Sequence, residues 1–129
     1  MNLILLIMII VSSFSYIFAN IQHANELFRL GNLKLELYYE MHGHTNPDYS
    51  LFDKEDLDLP LTYLKEGLEL LINSGKFYLL EYKNNYEKIH FTKLKEINQI
   101  ILIYVNLLKY KDKKEILKQW EPIKNELNI

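Results

Sequence analysis

Residues 92–110, TKLKEINQIILIYVNLLKY, are the stretch from which the rest of the fold is predicted. Their apolar residues recur at alternating spacings of three and four, which places them on one face of a helix. This stripe consists of Leu94, Ile97, Ile101, Tyr104 and Leu108. Further Ile, Leu and Val residues make most of the surface apolar, so other elements are expected to cover it on several sides. A buried strand is the alternative, since Ile and Val also favour sheets. The heptad spacing favours a central helix over 92–110, with Thr92 as its N-cap.

A β-hairpin is predicted immediately before this helix, over residues 77–91. Asn84 and Asn85 supply a two-residue turn, because Asn tolerates positive φ. Pairing around that turn opposes Glu81 to Lys88, a favourable pair of charges. The same register gathers an apolar face from Tyr78, Leu80, Ile89 and Phe91.

A third strand is predicted near residues 33–40, where the apolar period changes to two. The residues of one face are Leu33, Leu35, Leu37 and Tyr39, and they alternate with Lys34, Glu36, Tyr38 and Glu40. The preceding Gly31 and Asn32 are typical of a helix C-terminus. A short helix is therefore expected over residues 21–30, ending before the strand.

Two further helices are predicted from their start and stop signals. One opens at Pro60, where a missing N–H costs nothing, and ends at Ser74 and Gly75. The other begins with Asp112 as its N-cap, and Pro122 is expected to kink or restart it.

The resulting fold class is α+β: a small antiparallel three-stranded sheet, formed by the strand near 33–40 and the hairpin 77–91, packed by about four helices. An all-α bundle is the alternative. The length of 129 residues favours one domain.

The N-terminus is typical of an export signal. Residues 1–19 carry no charged side chain, and the continuous apolar run 3–11 is followed by Ser residues and Ala19. This pattern predicts a signal peptide over 1–19 and a single globular domain over 20–129, secreted or periplasmic. The alternative is an uncleaved anchor facing outside the cytoplasm, since about 18 apolar residues are the lower limit for a spanning helix.

Composition excludes several classes of protein. The formal net charge is −2, so nucleic acid is not an expected partner. The chain has no Cys, which excludes disulfides and thiolate metal sites. Ser50 and Ser74 lie in no nucleophile motif, and we predict that the protein is not an enzyme.

The first candidate site is a metal-binding pair. His42 and His44 are two residues apart, and on an extended segment they point the same way. They could share Zn²⁺ or Cu²⁺ with further ligands from Asp48, Asp53 or His23. The alternative is that His42 and His44 are only exposed polar residues beside a glycine turn, because the H-x-H motif has low specificity.

The second candidate site is an acidic segment with aromatic residues, in the loop predicted over residues 42–59. Aromatic anchors inside an acidic rim are typical of docking surfaces. The alternative is a solvated loop without a binding role. The residues concerned are Tyr49, Phe52, Asp53, Glu55, Asp56 and Asp58.

The charge distribution supports docking. Residues 20–60 hold three basic and eight acidic side chains, a net charge of −5, whereas residues 61–129 hold twelve basic and nine acidic, a net charge of +3. The main hypothesis is therefore an exported protein-binding module, of inhibitor or immunity type, that docks a basic protein partner. The alternatives are a metal-binding protein using His42 and His44, and a membrane-tethered structural component of the cell envelope.

Overall fold

The described part of the chain is a bundle of four α-helices. The computed structural model describes the backbone of residues 2–42 and 54–129, and the side chains of residues 2–11, 20–41 and 59–129. The helices are α1 (Leu3–His42), α2 (Lys54–Asn85), α3 (Lys88–Tyr104) and α4 (Tyr110–Leu127), and a 3₁₀ helix (Val105–Leu107) follows α3. No strand occurs in the two described ranges. The predicted α+β fold with a three-stranded sheet is therefore wrong, and the alternative, an all-α bundle, is what the structure supports.

The strand predicted near residues 33–40 is part of α1. The buried positions here are Gly31, Leu35 and Tyr38, spaced by four and three as on a helix. Leu33 and Tyr39, which share the predicted buried face of the strand, are 43% and 44% exposed. Leu and Glu are strong helix formers, and the helical period of the buried residues decides between the two structures.

The hairpin predicted over residues 77–91 is also helical. Helix α2 continues through Asn85, and the chain reverses at Tyr86 and Glu87 before α3 begins. Tyr86 adopts a positive φ of 53° at this reversal. Ile89, assigned to the buried face of the hairpin, is 63% exposed, whereas Glu81, assigned to its polar face, is 1% exposed.

The N-terminal half of the chain is a single helix. Helix α1 extends over 40 residues without ending at Gly31 and Asn32. The predicted helix over 21–30 is therefore only its middle part. Helix α2 likewise begins at Lys54, before Pro60, and passes through Ser74 and Gly75.

Helix α2 is the centre of the bundle, because it packs against α1, α3 and α4. The predicted central helix, 92–110, is instead divided into α3, the 3₁₀ helix and the start of α4. Its stripe is nevertheless buried, since Leu94, Ile97 and Ile101 have no exposed surface. The residues that widen the stripe are only partly covered: Val105 is buried, whereas Ile103 is 66% exposed.

Helix starts in the second half of the chain differ from the predicted ones. Thr92 is inside α3, and its hydroxyl donates to the Lys88 carbonyl at 3.0 Å instead of capping the helix. Helix α4 starts at Tyr110, which places Asp112 in its first turn. Pro122 does not divide α4, because the helix runs on to Leu127.

Cross-helix contacts give the directions of the helices. Helix α1 is antiparallel to α2, since Gly31 lies against Gly67 and the Ser74 hydroxyl donates to the Ala24 carbonyl at 2.7 Å. The short turn after Asn85 makes α3 antiparallel to α2 as well.

Helix α4 runs in the direction of α2. Lys65 pairs with Asp112 at 3.2 Å, near the start of both helices. Lys83 pairs with Glu126 at 2.8 Å, near the end of both helices. The α2–α3 turn therefore lies at one end of the bundle, and the start of α4 lies at the other.

Small residues allow α1 and α2 to approach closely. A Cβ atom on Gly31 would lie 2.8 Å from the Leu71 Cγ, and one on Gly67 would lie 3.0 Å from the Gly31 carbonyl oxygen. Gly75 serves the same purpose against α4, because its Cβ would lie 2.8 Å from the Trp120 ring. Gly31 and Gly75, which resemble stop signals in the sequence, are packing positions, as is Gly67.

Gly67→Ala tests this close approach. Overpacking against a backbone carbonyl costs about 1–3 kcal/mol, and the better helix propensity of Ala returns roughly 1 kcal/mol. We expect the free energy of unfolding to fall by up to about 2 kcal/mol in denaturant titrations. Asn73→Ala, at an exposed position of the same helix, is the control and should be neutral or stabilising. An increase in stability for Gly67→Ala would contradict the close packing.

Ile101→Ala tests the buried stripe of α3. Removing a fully buried side chain leaves a cavity, so the free energy of unfolding should fall by roughly 2–5 kcal/mol. Ile103→Ala removes the same atoms from an exposed position of the same helix and should change stability by less than about 0.5 kcal/mol. Equal losses in the two variants, measured by thermal or denaturant unfolding, would disprove this assignment of faces.

Candidate functional site

Half of the residues of the predicted docking segment lie outside the described part of the chain, and the side chains of the other half are also outside it. Tyr49, Phe52 and Asp53 fall within residues 43–53, which the structure does not describe. For the remaining three acidic residues only the backbone is described: Glu55, Asp56 and Asp58 belong to the first two turns of α2 and not to a loop. Carboxylates at a helix N-terminus are favoured by the helix dipole.

The side chains of the predicted metal-binding pair are also outside the described part of the structure. His42 is the last residue of α1, with its side chain outside the described set, and His44 follows in the undescribed segment. Within the described residues, no group of three or more His, Asp or Glu side chains is arranged to hold a metal ion. The His42 and His44 site stays a prediction.

A groove of about 360 Å³ lies between α1 and α3, towards their C-terminal ends. Its walls are mainly apolar, and α1 supplies Leu35 and Tyr39 while α3 supplies Ile100 and Tyr104. Spacings of four on both helices bring these side chains to facing surfaces. Asn32 and Glu36 complete the lining.

The rim of this groove is acidic. Glu36 lines the groove, and Glu40 lies one helical turn further along α1; both side chains are exposed. Among the described residues, neither forms an ion pair, whereas the neighbouring cation Lys34 is bound to Glu66 of α2 at 3.0 Å. The Lys34 ammonium also lies 4.9 Å from the centre of the Tyr63 ring. The groove thus combines apolar walls with an uncompensated negative charge, which suits a basic amphipathic ligand.

A second cavity, of about 590 Å³, lies between α2 and the start of α4. Its wall includes side chains that form ion pairs within the bundle. The Lys65 ammonium lies 3.1 Å from Glu115, 3.2 Å from Asp112 and 3.9 Å from Glu69. Hydrogen bonds to Glu115 and then to Asp112 raise the pKa of Lys65 above its usual value. The Lys65 ammonium therefore joins α2 to α4, and the charged residues beside this cavity hold the two helices together.

Several polar groups are buried near the α2–α3 turn. Burial raises the pKa of the Tyr78 hydroxyl, with a hydrogen bond involving Ser74 acting in the opposite direction. The Tyr78 hydroxyl donates to the Asn25 side-chain oxygen, and its ring stacks on His90 with centroids 6.2 Å apart. These contacts fix α1 and α3 to α2, and they use the polar atoms of Tyr78 within the bundle.

Glu81 and His90 are the two titratable side chains buried with an atom that lacks a hydrogen-bond partner within the described structure. The other Glu81 oxygen accepts from Asn85 at 3.3 Å. The His90 Nε2 atom lies 3.7 Å from a Glu87 oxygen, beyond hydrogen-bond distance. Neither residue belongs to a group of three metal-ligating side chains within the described part of the chain.

Sequence reasoning missed the α1–α3 groove because it assigned residues 33–40 to a strand. On a strand, Leu35 and Tyr39 share a face with Leu33, and Glu36 points away from them. The spacing of three between Leu35 and Tyr38, both buried, is the signal that would have placed this segment on a helix, because residues three apart fall on opposite faces of a strand.

Among residues whose side chains are described, no helix combines the length and apolar character needed to cross a membrane. Comparisons with protein-family models, curated proteins and solved structures gave no match for this chain.

Proposed function

We propose that this protein is a non-enzymatic binding module, exported from the cytoplasm, that takes a basic amphipathic helix of a partner protein in the groove between α1 and α3. The observation that carries the proposal is the groove itself: apolar walls from two helices and an acidic rim on one side. The proposal keeps the predicted class of function, a docking protein for a basic partner, and adds a second binding surface.

The shape of the groove favours a helical ligand over a flat surface. An amphipathic helix inserts apolar residues at i, i+3, i+4 and i+7 into an apolar groove. Leu35 and Ile100 form the apolar walls, and Tyr39 and Tyr104 offer rings with a polar atom at the edge. Aromatic residues of this kind are common at the centres of protein interfaces.

Charge favours a basic ligand. Glu36 lines the groove and Glu40 lies one helical turn beyond it, and residues 20–60 as a whole carry a net charge of −5 from three basic and eight acidic side chains. Complementary charge accelerates association and excludes acidic competitors. The acidic segment with Tyr49 and Phe52 follows α1 directly along the chain, and we propose it as a further contact for the same partner.

The experiment uses a designed peptide as the probe, because the partner is unidentified. A labelled 18-residue helix with Leu on one face and Lys on the other is titrated with the full chain, and anisotropy reports binding. The control peptide has the same composition with scrambled spacing. Binding of the patterned peptide at least about tenfold tighter than the scrambled one is expected, since only the former presents a continuous apolar stripe.

Charge reversal at the rim is then the specific test. Glu36→Lys should weaken binding of the patterned peptide about tenfold at low salt, mainly through a slower association rate. Glu121→Lys makes the same change at an exposed position of α4 and should leave the rate near that of the unaltered chain. Thermal unfolding of both variants checks that the bundle is intact. Equal binding by the two variants would show that the α1–α3 groove is not the docking surface.

A further inference from the structure

The N-terminal part of α1 is an apolar helix that the bundle leaves uncovered. We call residues 3–11 the α1 arm; all nine are large apolar residues, and their exposed fractions range from 41% to 68%. From residue 1 to residue 22 the chain carries no Asp, Glu, Lys or Arg. A surface of this size and polarity is not left in contact with water by a folded protein without a function.

The apolar surface surrounds the arm. Nine consecutive residues make about two and a half helical turns, so every side of the helix is apolar. A groove on a protein needs an apolar stripe on one side only. A helix that is apolar all round belongs in a protein core or in lipid. Since the described bundle does not cover the arm, lipid is the environment that matches it.

The arm and the α2–α3 turn lie at the same end of the bundle. The rings of His23 in α1 and Phe77 in α2 are 4.7 Å apart, and the two helices are antiparallel. Helix α2 continues eight residues beyond Phe77 to Asn85, a rise of about 12 Å. The turn is therefore level with about residue 15 of α1, and the arm projects beyond it. The arm itself rises about 14 Å, about half the thickness of a bilayer hydrocarbon core.

The α2–α3 turn has the composition of a membrane interface. Tyr86 is 75% exposed and Ile89 is 63% exposed, and Lys88 between them is also exposed. Tyr is enriched at the headgroup level of membranes, and Lys extends its ammonium towards water from there. The acidic Glu87 offsets Lys88, so the net charge of the turn favours no particular headgroup.

We propose that the α1 arm inserts into a lipid bilayer and that the α2–α3 turn, with Tyr86 and Ile89, rests on the surface of the same leaflet. Two contacts of this kind hold the bundle upright on the membrane. The α1–α3 groove, about 20 residues further along α1 than the turn, is then presented about 30 Å from the bilayer surface. The inference does not depend on the proposed ligand of that groove.

Flotation of the full chain with vesicles tests the arm. The vesicles are made of phosphatidylcholine alone or with one fifth phosphatidylglycerol, and the chain is expected to float with both. Leu5→Glu combined with Met8→Glu places two charges in the arm and should reduce the bound fraction at least about tenfold, because each charge in hydrocarbon costs a few kcal/mol. Both side chains are exposed, so the melting transition of the bundle should not change.

A second pair of variants tests the turn. Tyr86→Asn combined with Ile89→Gln removes the apolar contacts of the turn, and Asn tolerates the positive φ at position 86. This variant should bind vesicles several-fold more weakly than the unaltered chain. Tyr110→Asn is the matched control, since Tyr110 is 79% exposed at the start of α4, the opposite end of the bundle. Its binding should equal that of the unaltered chain.

Three results would overturn the proposal. The full chain could stay unbound to both kinds of vesicle, or the variant with Glu at positions 5 and 8 could float like the unaltered chain. The third is an intact mass, measured for the protein from its native envelope, that corresponds to a chain starting at Asn20, because the arm would then be absent from the mature protein. If the Tyr86 variant binds as the Tyr110 control does, the turn does not contact the membrane. Loss of peptide binding to the groove leaves all of these results unchanged.

Discussion

The close approach of α1 and α2 at Gly31 and Gly67 is the constraint on which the rest of the bundle depends. With no side chain at either position, the two backbones come near enough for Leu35 and Leu71 to pack around them. The same spacing brings the Ser74 hydroxyl to the Ala24 carbonyl, 2.7 Å away. Since packing density in protein cores leaves few voids, a larger residue at either glycine would separate the helices along their length. Helix α2 is central because it has such contacts on more than one side, the second being Gly75 against Trp120.

This arrangement separates the two ends of the molecule by chemistry. One end carries the apolar arm and the α2–α3 turn, and the other carries the acidic rim of Glu36 and Glu40 beside Tyr39. The polar contacts between the helices, such as Lys65 with Asp112, are satisfied within the bundle. Among the described residues, the exposed apolar arm and the acidic groove are the two surfaces for which we propose ligands, lipid and a basic protein segment respectively.

The errors of the sequence analysis have a common cause in the short polar and small residues. Gly31, Ser74 and Gly75 are read as ends of helices because such residues are frequent in caps and turns. In the structure each lies inside a long helix where space for a side chain is lacking or where a hydroxyl is needed. Placing stops there leaves short segments, and a short segment with apolar residues two apart resembles a strand. Tertiary packing thus overrides the local preference.

The apolar stripe of α3 follows from the sequence alone. Leu94, Ile97 and Ile101 are buried as their spacing predicts, because a helical period of three and four is a property of the local chain. The unequal charge of residues 20–60 and 61–129 and the apolar N-terminus are likewise evident from the sequence. The docking and metal-binding residues predicted from the sequence, from His42 to Asp58, have side chains outside the described set, so they stay predictions.

Contacts between distant parts of the chain are needed to show that residues 33–40 are helical and that Glu36 and Tyr39 border a groove with α3. Which of two periods a segment adopts, and which of its faces meets another helix, depend on contacts between residues far apart in the chain. Gly31 against Gly67 is such a contact. The residues that flank either glycine in the sequence do not indicate that the two will meet.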